Sequence, residues 1–383
     1  MRLSRAQAQD RNRAKVLAAA REEFAERGFR EAKVDAIAER AELTRGAVYS
    51  NFPGKRALYF AVLAEEAVVG GVGEPGLSAR EAMGAFARSW VSRLPLSTDD
   101  RRWLAADLVP EVLSDEVTRR AFGPLTHLGA ILLGLALEGF GPGRAVRVAE
   151  AALTTLHGAS TLAAAAPGFG EPFNVVRACE QLVDLDLGDE WGPVPIVAEA
   201  FAVDEPWAAG QGVDLVTGEP VELGDDGVVS VLGTRWLASA EQPVRLGLPT
   251  TVVVVTDVPA ELNPLARLAV ADVAVHLRGA FPRSIWPRLR VVVDDGGALA
   301  ARAGVRHPDG ETEVAVRVRG GRVVARAEGR GAGHAVGTLR VAKRTAGGGE
   351  PEDGRGGGAA SAREGASREG VRREAREDDT TEV

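Results

Sequence analysis

The stretch Thr44–Lys55, with the sequence TRGAVYSNFPGK, decides how the N-terminal part of this chain folds. Thr44 is a favourable N-cap because its hydroxyl can accept a hydrogen bond from a backbone N–H in the first turn of a helix. The Phe52-Pro53 pair ends that helix, since proline disfavours helical geometry in the residue before it. The pattern predicts a short helix whose outward face is small, polar and basic. A single helix of this kind fits the major groove of DNA.

The segment immediately before this stretch predicts a second helix. Apolar residues recur within Val34–Ala41 at positions i, i+3, i+4 and i+7, which is the spacing of one helix face. Glu42 and Leu43 form the tight turn between the two helices. Together the two segments indicate a helix-turn-helix.

The region from about Arg11 to Leu63 resembles the tetracycline-repressor (TetR) family of bacterial transcription regulators. The matching positions are Ala14–Phe24, Arg27–Phe29, Ile37-Ala38, Ala41, Gly46–Tyr49, Phe52 and Lys55–Leu58. Lys33 departs from the family pattern, because the family usually has Ser or Thr there to cap the second helix and touch a phosphate. Lysine can meet a phosphate as a point charge, but it cannot act as an N-cap.

The resemblance implies a homodimeric repressor that binds a palindromic operator, with its two recognition helices one turn of double-stranded DNA apart. Arg45 is the candidate for guanine readout. Tyr49 and Lys55 are candidates for positioning the protein on the DNA backbone. The complete set of predicted DNA-binding residues is Lys33, Thr44, Arg45, Gly46, Ala47, Tyr49, Ser50, Asn51 and Lys55.

Charge is distributed unevenly along the chain. The net charge is −8 over 383 residues, but residues 1–60 contain 13 Lys and Arg against 8 Asp and Glu. A basic N-terminal part suits DNA binding. With neither a signal-peptide pattern nor an apolar run of about 18 residues, we expect a cytoplasmic protein without a membrane partner. A single cysteine, Cys179, rules out an internal disulfide and a cysteine metal cluster, and we interpret it as a small buried residue.

The expected fold class is multidomain, with an all-α helix-turn-helix and a helical regulatory domain followed by an α/β thioredoxin-like domain. The chain is about twice as long as typical members of the family, so the α/β part is an additional module. The expected segments are a DNA-binding domain at 1–70, a helical ligand-sensing and dimerisation domain at 77–188, the α/β domain at 196–345 and a disordered tail at 346–383.

The helical segment is where the resemblance implies binding of a small, largely apolar effector. Trp90, Trp103 and His127 are the candidate pocket residues, although an ordinary core or surface role fits them as well. His157 is interpreted as structural. The helical pattern 117–140 predicts either one helix or two helices broken at Gly123-Pro124. The resemblance implies that helices 144–165 and 172–187 form a dimeric four-helix bundle.

The pattern changes to alternating strands and helices after a proline-rich linker at Trp191–Pro195. Strands are predicted at 227–232, 250–257, 289–294, 312–318 and 323–327, with helices at 263–281, 297–303 and 331–339. This order resembles the thioredoxin-like fold. Redox members carry a cysteine at a helix N-terminus after the first core strand, whereas the corresponding place here, Thr256–Asn263, has no thiol.

Four roles remain open for the α/β domain: a protein-interaction module, a site for a second effector, an extension of the dimer, or an enzyme. An enzyme is disfavoured because we find no nucleophile and base at a suitable spacing and no phosphate-binding loop. We therefore expect no catalytic residues, no cofactor and no metal site.

Overall fold

The computed structural model describes residues 5–68, 74–95 and 104–340. Trp103 and the tail predicted at 346–383 lie outside these residues. The described part is helical in its first half and contains a mixed sheet with helices in its second half.

The N-terminal helices are α1 (Arg5–Glu31), α2 (Val34–Arg40), α3 (Arg45–Asn51) and α4 (Lys55–Val68). Thr44 caps α3 as predicted, because its Oγ1 accepts a hydrogen bond of 3.2 Å from the backbone N of Ala47. Gly28 interrupts the helical geometry of α1 with a φ of 73°. Buried aromatic rings of Phe24, Phe29 and Tyr59 hold α1 against α4.

The middle of the chain is helical as predicted. It contains α5 (Ala79–Val91), α6 (Leu108–Leu113), α7 (Glu116–Leu137), α8 (Val146–Ala165) and α9 (Pro172–Leu182), with 3-10 turns at Leu104–Asp107 and Glu138–Phe140. Of the two alternatives for 117–140, the single unbroken helix is present, since α7 continues through Pro124. The physical reason is local: Gly123 has no β-carbon to clash with the proline ring, so the helical conformation before the proline is tolerated.

The strands are β1 (Ala200–Pro206), β2 (Gln211–Val213), β3 (Pro220–Glu222), β4 (Gly227–Gly233), β5 (Thr250–Val255), β6 (Leu289–Val293), β7 (Glu313–Arg319) and β8 (Arg322–Glu328). The main sheet has the order β1-β8-β7-β4-β5-β6, and β2 and β3 pair separately. Strands β4, β5 and β6 are parallel, while β7 is antiparallel to β4 and β8, and β8 to β1. All five predicted strands are present; the thioredoxin-like assignment itself stays a prediction.

The remaining helices are α10 (Glu241–Arg245), α11 (Pro259–Ala280), α12 (Ala298–Arg302) and α13 (Ala332–Thr338). Helix α11 follows β5 in sequence but packs mainly against α4, α5 and α7. Leu265, Val273 and Leu277 of α11 belong to a buried cluster that also contains Val16 of α1 and Val291 of β6. One hydrophobic core therefore extends from the helix-turn-helix to one face of the sheet.

One helical stretch among the described residues, Glu116–Phe140, is long and apolar enough to cross a membrane. However, 61% of its most apolar window is buried inside the protein. It packs against α8 and α11, and burial on this scale is typical of the central helix of a protein core.

Candidate nucleic-acid interface and internal cavity

Helix α3 has one buried face and one exposed face. Val48 and the following Phe52 are each only 2% exposed and anchor the helix in the core. Tyr49 is 41% exposed, and the other outward positions, Thr44, Arg45, Gly46 and Ser50, are also exposed. The structure thus places most of the predicted contact residues on a single accessible surface.

Arg45 lies at the edge of this surface and keeps only solvent-exposed partners. Its guanidinium is 3.3 Å from Oδ1 of Asp35 and 5.6 Å from the ring centroid of Tyr49. The side chains of Arg45 and Asp35 are 61% and 69% exposed. An exposed ion pair of this kind is worth little free energy, so Arg45 can exchange Asp35 for a ligand on the DNA.

Two polar residues at the end of α3 turn their donors back into the helix. The hydroxyl of Ser50 donates to the carbonyl oxygen of Ala47 at 2.9 Å, and Nδ2 of Asn51 donates to the same oxygen at 2.8 Å. The Ser50 hydroxyl proton and one of the two Asn51 amide protons are therefore occupied in this structure. The guanidinium of Arg13, which the sequence did not single out, stacks 4.4 Å from the Phe52 ring centroid beside this end of the helix.

Lys55 occupies a different position from the other predicted contacts. Its ammonium group donates to the carbonyl oxygens of Phe29, Arg30 and Ala32 at 2.7, 3.2 and 3.1 Å. A lysine has three N–H donors, so these carbonyl groups at the end of α1 can use all of them. The structure gives Lys55 a structural role that the sequence did not predict.

Lys33 is exposed at the start of α2 and makes no side-chain cap, as predicted. Its backbone N donates to Oε1 of Glu23 at 3.4 Å. Glu23 is a buried carboxylate that also pairs with Arg40. The Lys33 side chain therefore lies on the surface at the N-terminal end of α2, the first helix of the helix-turn-helix.

A cavity of about 560 Å³ lies between α4, α5, residues 104–113, α8 and α11. Of the three predicted pocket residues, Trp90 lines it, Trp103 is outside the described residues, and His127 is elsewhere. His127 instead pairs with Glu150, Nδ1 to Oε1 at 2.7 Å. His157, interpreted from sequence as structural, lines the cavity, while its Nδ1 lies 2.8 Å from the carbonyl oxygen of Leu153.

The polar end of the cavity combines Arg93, which follows α5, with Asp272 and His276 of α11. One guanidinium nitrogen of Arg93 is 3.5 Å from Oδ1 of Asp272 and 3.3 Å from Nε2 of His276. The second donates to the carbonyl oxygen of Glu66 at 3.0 Å. Ser89 Oγ is 2.8 Å from Nδ1 of His276. Sequence reasoning missed this group because α11 was assigned to a separate domain, although Asp272 and His276 stand out as polar residues four apart on an apolar helix.

Desolvation shifts the pKa of both α11 residues, although His276 is buried and the Asp272 side chain is 32% exposed. Burial, and next the positive charge of Arg93, lower the pKa of His276 to about 3. At neutral pH its ring is therefore uncharged, so Nε2 accepts from Arg93 and Nδ1–H donates to Ser89. Burial raises the pKa of Asp272, against the opposing effects of Arg93 and His157. In the described part of the chain, no three His, Cys, Asp or Glu side chains are grouped as a metal site.

Residues 16–62 match the family model of bacterial regulatory proteins of the tetR family. Among solved structures, a transcriptional regulator from Rhodococcus sp. Rha1 is 23% identical with a TM-score of 0.31, over 45% of this chain and 93% of that chain. A TetR-like regulator from Rhodococcus sp. RHA1 is 24% identical with a TM-score of 0.24, over 48% and 96%.

The regulator FadR from Bacillus subtilis, solved in complex with stearoyl-CoA, is 18% identical with a TM-score of 0.28, over 44% of this chain and 96% of that chain. At these TM-scores the solved structures add nothing to the assignment that the family model makes. Curated proteins give no match to this chain. The family model and the capped, outward-facing α3 together identify residues 16–62 as a DNA-binding domain of the TetR family of regulators.

Proposed function

We propose that this protein is a transcription regulator that binds a palindromic operator as a homodimer and responds to a small molecule held in the internal cavity. The observation that carries this proposal is the exposed face of α3, formed around Arg45 and Tyr49 within a TetR-type domain. Repression is the mode we expect. The proposed contact surface consists of Lys33, Thr44, Arg45, Gly46, Ala47, Tyr49, Ser50 and Asn51. Lys55 has a structural role instead, because its ammonium group binds carbonyl oxygens at the end of α1.

The cavity is connected to the DNA-binding domain through two elements. Helix α4 contributes Leu63 to the cavity wall, and Leu58, earlier on the same helix, is buried in the core. The 3-10 turn Leu104–Asp107 also lines the cavity, and the carbonyl oxygen of Leu104 accepts a hydrogen bond from the Tyr59 hydroxyl at 2.7 Å. Both elements pack against α1, which in turn contacts α3, so a ligand that moves either element would act on α3 through α1. Such coupling must be reciprocal: bound operator changes effector affinity by the same factor.

Exposed apolar side chains on the outer helices support the homodimer. Leu162 of α8, Phe169 in the following turn and Phe173 of α9 are 47%, 75% and 72% exposed. Contiguous exposed apolar patches mark association surfaces, and these three residues lie close together along the chain, around the turn between α8 and α9. Multi-angle light scattering tests this directly: we expect a dimer, and we expect Phe173→Ser to shift it towards monomer. A monomeric wild-type protein would contradict the dimer.

The proposed function is tested by selecting bound sequences from a random double-stranded library and measuring affinity for the selected site by gel shift across a salt series. We expect a palindromic sequence and an affinity that falls steeply as salt rises, because bound phosphates release counterions. Recovery of unrelated sequences, with the protein folded and dimeric, would contradict specific DNA binding.

Two further assignments belong to this proposal. We propose residues 1–70, 77–188 and 196–345 as three functional segments. The last two share one hydrophobic core, because α11 packs among the helices of the middle segment. The α/β segment is proposed to act without catalysis, as a module that binds an effector or a partner.

A further inference from the structure

Helix α11 belongs to the α/β segment by sequence, yet it forms one wall of the cavity. Leu268, Asp272 and His276 face the same space as Trp90 of α5 and His157 of α8. We infer that the α/β segment completes the ligand site, and that Asp272 binds the protonated nitrogen of an apolar amine. The inference rests on the proposed function only in treating the cavity as the site of an effector.

Of the charged side chains that line the described cavity walls, Asp272 has the weakest pairing with an opposite charge. Three charged side chains line the described walls: Glu66, Arg93 and Asp272. Glu66 pairs with Arg21 at 2.8 Å. Arg93 donates to a carbonyl oxygen and to the ring of His276. Among the described residues, Asp272 has only the contact of 3.5 Å with Arg93.

A carboxylate in this position favours a ligand that brings positive charge. Its two oxygens can accept about four hydrogen bonds, and among the described residues only the 3.5 Å contact with Arg93 uses this capacity. The Asp272 side chain is 32% exposed, and its partial desolvation costs free energy in the charged form, which raises its pKa. An ammonium group offsets that cost with charge and N–H donors. A ligand carboxylate would instead be repelled by Asp272.

The remaining walls suit the apolar body of such a ligand. Leu63, Leu104, Leu108 and Leu268 line the cavity together with the ring of Trp90. The indole N–H of Trp90 is already bound to Ser160 Oγ at 3.0 Å, so its ring presents apolar surface. An apolar pocket with a few polar groups at one end is the usual form of a small-molecule site.

Isothermal titration calorimetry with decylamine and decanoate, below their micelle concentrations, tests the inference. The two probes share a chain length and differ in the sign of the head-group charge. We expect the full-length protein to bind decylamine more tightly than decanoate. Asp272→Asn, which removes the charge and keeps the shape, should weaken decylamine binding at least tenfold, and Asp225→Asn on the surface should leave it unchanged.

A second variant keeps the inference testable if the Asp272→Asn protein fails to fold. Ala164→Trp narrows the cavity from α8 without changing Asp272, and it should also abolish decylamine binding. Tighter binding of decanoate, no binding of decylamine to wild type, or an unchanged affinity in Asp272→Asn would each overturn the inference.

Gel shifts on the same samples separate the inference from the proposed function. If decylamine binding depends on Asp272 but the protein binds no selected operator, the result contradicts the proposed regulator and supports the amine site. If the protein binds its operator specifically but Asp272→Asn leaves its decylamine affinity unchanged, the result contradicts only the amine site.

Discussion

Gly129 of α7 faces Val273 of α11 so closely that a β-carbon added at Gly129 would lie 2.9 Å from Cγ2 of Val273. This glycine allows the helix of the α/β segment to enter the helical core. The contact explains how one hydrophobic cluster can include residues from both halves of the chain.

Gly129→Leu should therefore destabilise the protein. Overpacking a buried contact typically costs about 1–3 kcal/mol, and the loss is measurable as a lower free energy of unfolding in urea. Gly46→Ala is the control, because the added β-carbon meets only Thr44 Oγ1 at 3.9 Å. That change should raise stability by up to about 1 kcal/mol through helix propensity. A Gly129→Leu protein as stable as wild type would show that α11 does not pack as described.

Glu42 is the non-glycine residue with a positive φ, 56°, in the described part of the chain. The left-handed conformation costs roughly 1–2 kcal/mol for a residue with a β-carbon. Its ion pair with Lys15, 3.4 Å long and exposed, contributes little. We expect Glu42→Gly to raise the free energy of unfolding by about 1 kcal/mol, and Glu39→Gly in α2 to lower it by a similar amount. Equal effects of the two changes would rule out strain at Glu42.

Lys55→Met should lower the stability of the folded protein and leave its preference for particular bases in DNA unchanged. The substitution keeps the apolar stem but removes the donors for the carbonyl groups of Phe29, Arg30 and Ala32. The carbonyl groups of Phe29 and Ala32 are part-buried and that of Arg30 is exposed, so we expect a loss of about 1 kcal/mol, the lower end of the cost of an unpaired buried acceptor. Thermal melts should show a lower Tm, while the base preference of the folded protein stays the same. A variant with normal Tm and lost DNA binding would restore Lys55 to the contact surface.

His276 makes the folded protein sensitive to acid. Its pKa is lowered to about 3 in the folded state, from about 6.5 in the unfolded chain. The unfolded chain therefore binds the proton first, and stability falls as pH drops from about 6.5 towards 3. His276→Gln cannot take up this proton, so its free energy of unfolding should decline less than that of wild type between pH 7 and pH 4.5. Identical slopes would contradict a buried, neutral His276.

Local features of this fold can be predicted from sequence, and remote partners cannot. The Thr44 cap and the paired strands predicted at 312–318 and 323–327 depend on neighbouring residues, and all are present. Strand β1 escaped prediction because it is largely exposed and lacks apolar alternation. The apolar pattern of α11 is the same whether the helix covers a sheet or enters a helical core, so the cavity groups Asp272 and His276 could not be placed with Arg93.

The effect of Arg45→Ala on affinity for a selected operator, at fixed salt, tests the central claim most directly. A guanine contact is worth about 1–3 kcal/mol, so the affinity should fall by a factor of about 5 to 150. Arg120→Ala, an equally exposed arginine on α7, is the matched control and should bind like wild type. Equal affinities of the Arg45→Ala protein and wild type for that operator would contradict recognition by α3.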